Sequence, residues 1–348
     1  MTKIFFAIAG LCAVATFTPA ADYSLHSFKK IQLTDQFWSE GANFGDFNHD
    51  GAMDVVSGPY WWAGPDFKSR HEYYPAKTTF KLKKADGAEE TIPGFEGALG
   101  KNNTYSDNFF AFTHDFNGDG WTDILIYGFP GKDASWYENP KGKKNDAGTE
   151  HWTRHKVFDV VENESPQWLD LTGDGKPEIL CNSGGYFGYV TPDWSDTTKP
   201  WTFHKITPKG GWQRFTHGIG AGDVNGDGKQ DILEMNGWWE QPTSLDGDPE
   251  WKNHKVAFAP GAGSAHMYAY DVNGDGRNDV ITSLAAHGYG LAWYEQLAEK
   301  KDGEIQFQQH TFMNKEAKEN KYGVAFSQLH AIDLVDMDGD GVKDIITG

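Results

Sequence analysis

Asp223-Val224-Asn225-Gly226-Asp227-Gly228-Lys229-Gln230-Asp231, followed by Ile232-Leu233, is the stretch on which the reading of this chain turns. Oxygen-bearing side chains stand at positions 1, 3, 5 and 9, glycine at position 6, and an apolar pair follows. That alternation lets a short loop turn its oxygens inward on a hard cation, while Gly228 takes the left-handed conformation a tight turn needs. The loop occurs six times, the other copies being Asp46-Asn48-Asp50-Asp54, Asp115-Asn117-Asp119-Asp123, Asp170-Thr172-Asp174-Glu178, Asp271-Asn273-Asp275-Asp279 and Asp336-Asp338-Asp340-Asp344. Glycine holds position 6 each time, as Gly51, Gly120, Gly175, Gly228, Gly276 and Gly341. An EF-hand shares the first half of this spacing, but it needs a bidentate Glu at position 12 and a helix on either side. Position 12 is Ser57 in the first copy and Ile126 in the second, so that reading fails. Asp, Asn and Gly favour metal-free turns as well. Three or four carboxylates in each of six turns would repel one another without a counter-ion, which makes up to six structural calcium ions the expectation. Seven flexible oxygen ligands suit calcium better than magnesium. Thr172 and Glu178 make the third loop the weakest.

The loops begin at residues 46, 115, 170, 223, 271 and 336, spacings near the upper end for a four-stranded propeller blade. The rest of each unit repeats too. A short run precedes each loop, and a β-rich pair or triple such as Ile124-Leu125-Ile126 or Val280-Ile281 follows it. An aromatic strand comes next, as in Trp61-Trp62, Trp136-Tyr137-Glu138, Trp238-Trp239-Glu240 and Trp293-Tyr294-Glu295. Last is a Trp-x-x-His-x-aliphatic segment: Trp152 to Val157, Trp201 to Ile206, Trp251 to Val256. Four short strands per unit, here A to D with the loop between A and B, and no helical periodicity predict an all-β propeller of radially stacked sheets. Phe28 to Leu33 reads as a D strand lacking A, B and C, and the last unit stops at its B strand. The pair implies a ring whose final blade is cut short, with residues 22–348 forming an incomplete propeller.

The repeated Asp-x-Asn-x-Asp-Gly-x-x-Asp between short strands resembles the FG-GAP/VCBS repeat family, which includes the integrin α-subunit β-propeller. The likeness runs from about residue 40 to the end of the chain. It implies a calcium-binding propeller, typically of seven blades in the complete protein. Function it leaves open, because such propellers serve adhesion, scaffolding and catalysis.

Residues 1–21 read as a secretory signal peptide: Lys3, an apolar run from Ile4 to Phe17, and small residues Thr18, Ala20 and Ala21 at the cleavage site. The run is too short to span a membrane comfortably, and Cys12, directly after Leu11, lacks a lipobox. Export to the periplasm, cell surface or medium is expected, with no membrane insertion after cleavage. Cys181 is then the only cysteine, so no internal disulfide forms. Net charge is −19, part of it ligand charge, and a surface of that sign is a poor partner for nucleic acid or anionic membrane. Asn102-Asn103-Thr104 is a glycosylation sequon, relevant to a eukaryotic secretory pathway.

No Gly-x-Ser-x-Gly elbow, phosphate loop or His-Glu-x-x-His motif is present. The Trp-rich strands invite sugar stacking, but a Trp or Tyr at one place in most units fits packing better. Trp61-Trp62 and Trp238-Trp239 are the exceptions, since neighbours on a strand face opposite ways and one of each pair should meet solvent. His155, His204 and His254 share one slot on D strands, where packing or surface roles are expected. The A-strand starts differ. Six positions before the first loop Asp stand Glu40, Glu164, His217 and His330, with His266 offset by one and Phe109 in the second unit. In a propeller these starts open on the face opposite the calcium loops, which the B–C loop bearing His287 also reaches. Arg214, Gln167 and Gln328 lie close by. This funnel of His217, His266, His330, His287, Glu164, Glu40 and Arg214 is either a metal, sugar or substrate site or a water-filled polar channel. The residues favour a binding or interaction module whose ligand is a glycan or protein. The alternative is a carbohydrate-active enzyme of the lyase or dehydratase type, as some relatives with such propellers are.

Overall fold

The computed structural model describes residues 28–93, 106–144, 148–259 and 263–347; the leader assigned to residues 1–21 and the Asn102 sequon lie outside them. Contacts divide the chain into Met1–Gln32 and Leu33–Gly348. Of the first unit, residues 28–32 are extended and exposed, Phe28 by 74%. The D strand expected over 28–33 is therefore absent.

The fold is all-β, with a single short 3-10 turn at Ala317–Glu319 among the described residues. The first repeat is a four-stranded antiparallel sheet, β1 (Asn43–Gly45), β2 (Asp54–Ser57), β3 (Tyr60–Trp62) and β4 (Arg70–Glu72). A separate hairpin follows, β5 (Thr79–Lys83) with β6 (Glu89–Pro93). The second and third repeats share one sheet, from β7 (Phe110–His114), β8 (Asp123–Tyr127) and β9 (Lys132–Glu138) through β10 (Thr153–Leu169) to β11 (Glu178–Ser183), β12 (Tyr186–Thr191) and β13 (Thr202–Lys205). Strand β10 runs 17 residues, as the D strand of one repeat and the A strand of the next, with register breaks midway. The fourth repeat is β14 (Ile219–Gly222), β15 (Asp231–Glu234), β16 (Gly237–Glu240) and β17 (Lys252–Lys255). The fifth is β18 (His266–Tyr270), β19 (Asp279–Ser283), β20 (Leu291–Gln296) and β21 (Phe307–Met313). The sixth has β22 (Ile332–Val335) and β23 (Asp344–Thr347).

Each B strand begins at the ninth residue of its loop, where Asp54, Asp123, Glu178, Asp231, Asp279 and Asp344 stand. The A strands of all six repeats line one cavity of about 550 Å3, through residues such as Asn43, Ala111, Trp168, Ala221, Tyr268 and Asp333. Strands β14 and β18 pair in parallel there, Gly220 opposite Met267. A Cβ on Gly220 would lie 1.9 Å from the Met267 carbonyl oxygen, so only glycine permits that approach.

Core clusters sit between consecutive repeats. Phe47, Val56 and Trp61 of the first pack on Ile124, Tyr137 and Trp152 of the second. Leu125 and Trp136 of the second pack on Ile179 and Trp201 of the third. Leu180 and Tyr189 then meet Ile232 and Trp239, and Leu233 and Trp238 meet Val280 and Tyr294. Each inner sheet is thus covered on both faces. That corrects the expectation for the Trp pairs: Trp61, Trp62, Trp238 and Trp239 are 7%, 2%, 1% and 6% exposed, because the pleat turns Trp61 toward the second repeat and Trp62 onto Trp38 and Tyr60, and turns Trp238 and Trp239 toward different neighbouring repeats.

Candidate functional site

The repeated loops fold around their own carboxylates. In the fourth, Asp223 Oδ1 accepts the N–H groups of Gly226 and Asp227 at 2.8 and 3.0 Å, and Oδ2 accepts that of Gly228 at 2.9 Å. Gly228 sits at φ +85°. The ninth residue turns inward. Asp231 accepts the N–H of Val224 at 2.9 Å and that of Gln241 at 2.9 Å, and it is fully buried. Burial raises the pKa of this group, to about 7 at Asp123 and Glu178 and about 6 at Asp231. Basic side chains lean on position 5: Lys141 on Asp119 at 2.8 Å, Lys229 on Asp227 at 2.5 Å, and Arg277 on Asp275. Acceptor-only oxygens at positions 1, 3 and 5 of one exposed loop fit a hard cation such as calcium. In the sixth loop Asp336, Asp338 and Asp340 bring their oxygens within 4.8 Å of one another. The third departs from the pattern, since the Thr172 hydroxyl donates to Glu178 Oε1 at 3.3 Å.

A second constellation lies at the A-strand starts. Glu164, His217, His287 and His330 hold their ligand atoms within 4.8 Å of one another. Each comes from a different repeat: Glu164 from inside β10, His217 from the approach to β14, His287 from the loop between β19 and β20, His330 from the approach to β22. Ring centroids are 4.8 Å apart for His217 and His287, 4.4 Å for His287 and His330, and 5.5 Å for His217 and His330. Glu164 Oε2 stands 3.0 Å from His217 Nε2, and their side chains are only 7% and 15% exposed. The Glu164 N–H donates to the Thr216 carbonyl at 2.9 Å, which ties two of these segments together. Burial, with the neighbouring imidazoles, lowers the pKa of His330 and keeps its ring neutral at neutral pH.

Gln328 organises the other side. Its backbone N–H donates to the Gly288 carbonyl at 3.0 Å and its side-chain amide to the His287 carbonyl at 2.8 Å. Its Oε1 faces His287 Nδ1 at 3.3 Å and its carbonyl faces His330 Nδ1 at 3.2 Å. The residue sits at φ +69°. The sequence placed Gln328 near the funnel but gave it no role; a residue two positions before a site histidine that must bridge two loops is visible only in three dimensions.

Three funnel candidates lie elsewhere. Glu40 accepts the N–H of Ser106 at 2.9 Å and also its hydroxyl. Arg214 reaches toward Gly131 and lies over the ring of Phe215 at 5.7 Å. His266 points into the central cavity, its ring 5.9 Å from that of Phe110. Gln167 lines the same cavity. The D-strand histidines stack on C-strand aromatics: His155 on Trp136 at 4.3 Å, His204 on Tyr189 at 4.8 Å, His254 on Trp238 at 3.9 Å. Carboxylates hold their ring nitrogens, with His254 Nε2 2.8 Å from Glu240.

Residues 115–181 and 170–234 match the FG-GAP-like repeat. No curated protein matches the chain. Among solved structures it is similar to an Agrocybe aegerita lectin described by its specific recognition of non-reducing terminal N-acetylglucosamine, with 20% identity, TM-score 0.46, and 88% of this chain against 73% of that one. It is also similar to the V. cholerae biofilm matrix protein Bap1, at 18% identity and TM-score 0.33 over 68% of this chain and 34% of Bap1. A Bacillus licheniformis rhamnogalacturonan lyase gives 16% identity and TM-score 0.37 over 89% and 55%. The chain thus spans about a third of Bap1 and about half of the lyase.

Proposed function

We propose, for a chain whose residues 115–234 are FG-GAP-like repeats, that residues 22–348 form an exported, calcium-fastened β-propeller acting as a glycan-binding module. The observation that carries this reading is the cluster in which four repeats bring Glu164, His217, His287 and His330 together. Packing alone does not require four ionisable side chains to meet. Two aromatic rings flank them in sequence: Phe215 precedes His217 by two residues, Tyr289 follows His287 by two, and each is 40% exposed. Arg214 covers one face of Phe215 and Lys315 one face of Tyr289, and a polar cluster with such part-exposed rings close by in sequence suits a sugar, whose hydroxyls take hydrogen bonds and whose C–H face stacks. A net charge of −19 points to neutral glycans over polyanions.

A glycan array probed in calcium-containing buffer tests this. Retention of a neutral glycan that Phe215→Ala and Tyr289→Ala abolish is the expected result. Protein capture with no glycan retained, or variants that bind as the parent does, would overturn it. The same cluster favours a second reading, a carbohydrate-active enzyme of the lyase or dehydratase type, because titratable groups at one point serve acid–base chemistry. Release of an unsaturated or dehydrated sugar from the retained glycan, lost in His217→Ala, would favour the enzyme.

A further inference from the structure

We propose that Glu164, His217, His287 and His330 form a binding site for one divalent transition-metal ion of the zinc class, separate from the six carboxylate loops. The argument starts from donor type. Three imidazoles and one carboxylate are borderline ligands that select zinc and its neighbours over calcium or magnesium, whereas the loops offer hard oxygens. Distance comes next. Ligand bonds of about 2.0–2.2 Å put the donors of a tetrahedral site roughly 3.3–3.5 Å apart. All four donors lie within 4.8 Å of one another, and one pair, Glu164 Oε2 and His217 Nε2, is at 3.0 Å.

That pair is informative in another way. Although 3.0 Å separates them, His217 Nε2 is buried without a hydrogen-bond partner. The two atoms are adjacent but not aligned as donor and acceptor. An ion placed among the four donors would give this nitrogen the partner it lacks.

Gln328 supplies the third line of argument. Because its side-chain NH2 donates to the His287 carbonyl, its Oε1 must be the atom facing His287 Nδ1. An oxygen there requires the proton on Nδ1, and a carbonyl opposite His330 Nδ1 requires the same of His330. In the neutral tautomer so fixed, Nε2 is the nitrogen left to bind a metal, which is how outer partners orient metal-bound histidine. One residue sets two of the three imidazoles, which makes Gln328 a positioning residue for the site.

This inference does not depend on which glycan the module recognises, and its test uses the metal alone. The full chain is stripped of transition metals in buffer that keeps calcium in millimolar excess. Zinc is then titrated calorimetrically and counted by mass spectrometry after dialysis. One zinc per chain is expected, with a dissociation constant below about 1 μM. His287→Ala, on an exposed loop, should lower affinity by at least 100-fold while calcium content and circular dichroism stay unchanged. Gln328→Ala should cost about 10–100-fold. No retained zinc, or less than a tenfold loss in both His287→Ala and His330→Ala, would overturn the proposal. Should His217→Ala fail to fold, those two variants still decide. Glycan retention that survives zinc removal would leave the binding-module reading standing whichever way the metal result falls.

Discussion

The side-chain amide of Gln296 donates to the carbonyl of Val224 at 2.8 Å, tying the end of strand β20 to the Asp223–Asp231 loop of the preceding repeat. Its second N–H reaches the Asn278 carbonyl at 2.8 Å, and its backbone N–H donates to Asp279 Oδ1 at 2.8 Å. Gln241 does the same to Leu171 at 2.9 Å, and Asn139 to Phe47 at 2.9 Å. A short amide at the end of a C strand thus braces its own buried acid and its neighbour's loop together.

Gln296→Leu keeps the bulk but removes both donors, leaving the Val224 and Asn278 carbonyls without this partner in a buried setting. The expected cost is about 2–3 kcal/mol. Urea unfolding should show it as a lower midpoint with an unchanged slope, and a shift under about 0.5 kcal/mol would mean that water replaces the amide.

Calcium removal acts on every repeat at once. An ion held by the native loops alone, at 100 times its dissociation constant, stabilises by about 2.7 kcal/mol per site. Excess chelator should therefore lower the melting temperature by several degrees or more. Asp223→Ala should remove one calcium per chain from the stoichiometry. An unchanged melt in chelator would remove the structural role.

Acid should weaken the fold through His266. Its surroundings hold the pKa down at about 4, mainly by desolvation, against about 6.5 in an unfolded chain. Between those values the unfolded state binds the proton more readily, so stability is lost as pH falls from about 6.5 toward 4, by up to about 3 kcal/mol. Against the parent, His266→Phe should flatten the fall in melting temperature over that window. Parallel curves for variant and parent would rule out His266 as the cause.

Gly220→Ala puts a methyl group 1.9 Å from the Met267 carbonyl oxygen, a backbone atom that cannot swing aside. Separation of β14 from β18 is the expected response, at a cost above about 3 kcal/mol. Near-normal melting of this variant would show that the two A strands have room to part.

Local chemistry was legible in the chain, and long-range capture was not. The 1-3-5-6-9 loop spacing fixes turn and strand start within nine residues, so every B strand begins where the pattern places it. Glu164, His217 and His330 share one slot, six residues before their loops, and they do meet. Glu40 occupies that slot too, but Ser106, from the far end of the first repeat's insertion, claims its carboxylate. His266 stands one residue nearer its loop, and on a pleated strand one residue turns a side chain to the other face, here into the central cavity. The Trp pairs misled for a related reason: alternation gives the direction of each ring, while exposure depends on the sheets stacked outside it.

Strand β10 passes from the outer strand of the second repeat to the cavity wall of the third without an intervening loop. Between the third and fourth repeats the same passage is made by irregular chain, residues 206–218 between β13 and β14. Proteases need a locally opened segment of about this kind to cut. Limited digestion should therefore leave the second and third repeats joined as one resistant fragment of the chain, with the first cleavages falling on looser passages between other repeats. Mechanically the molecule is then a set of leaves in which two are bound along a common spine.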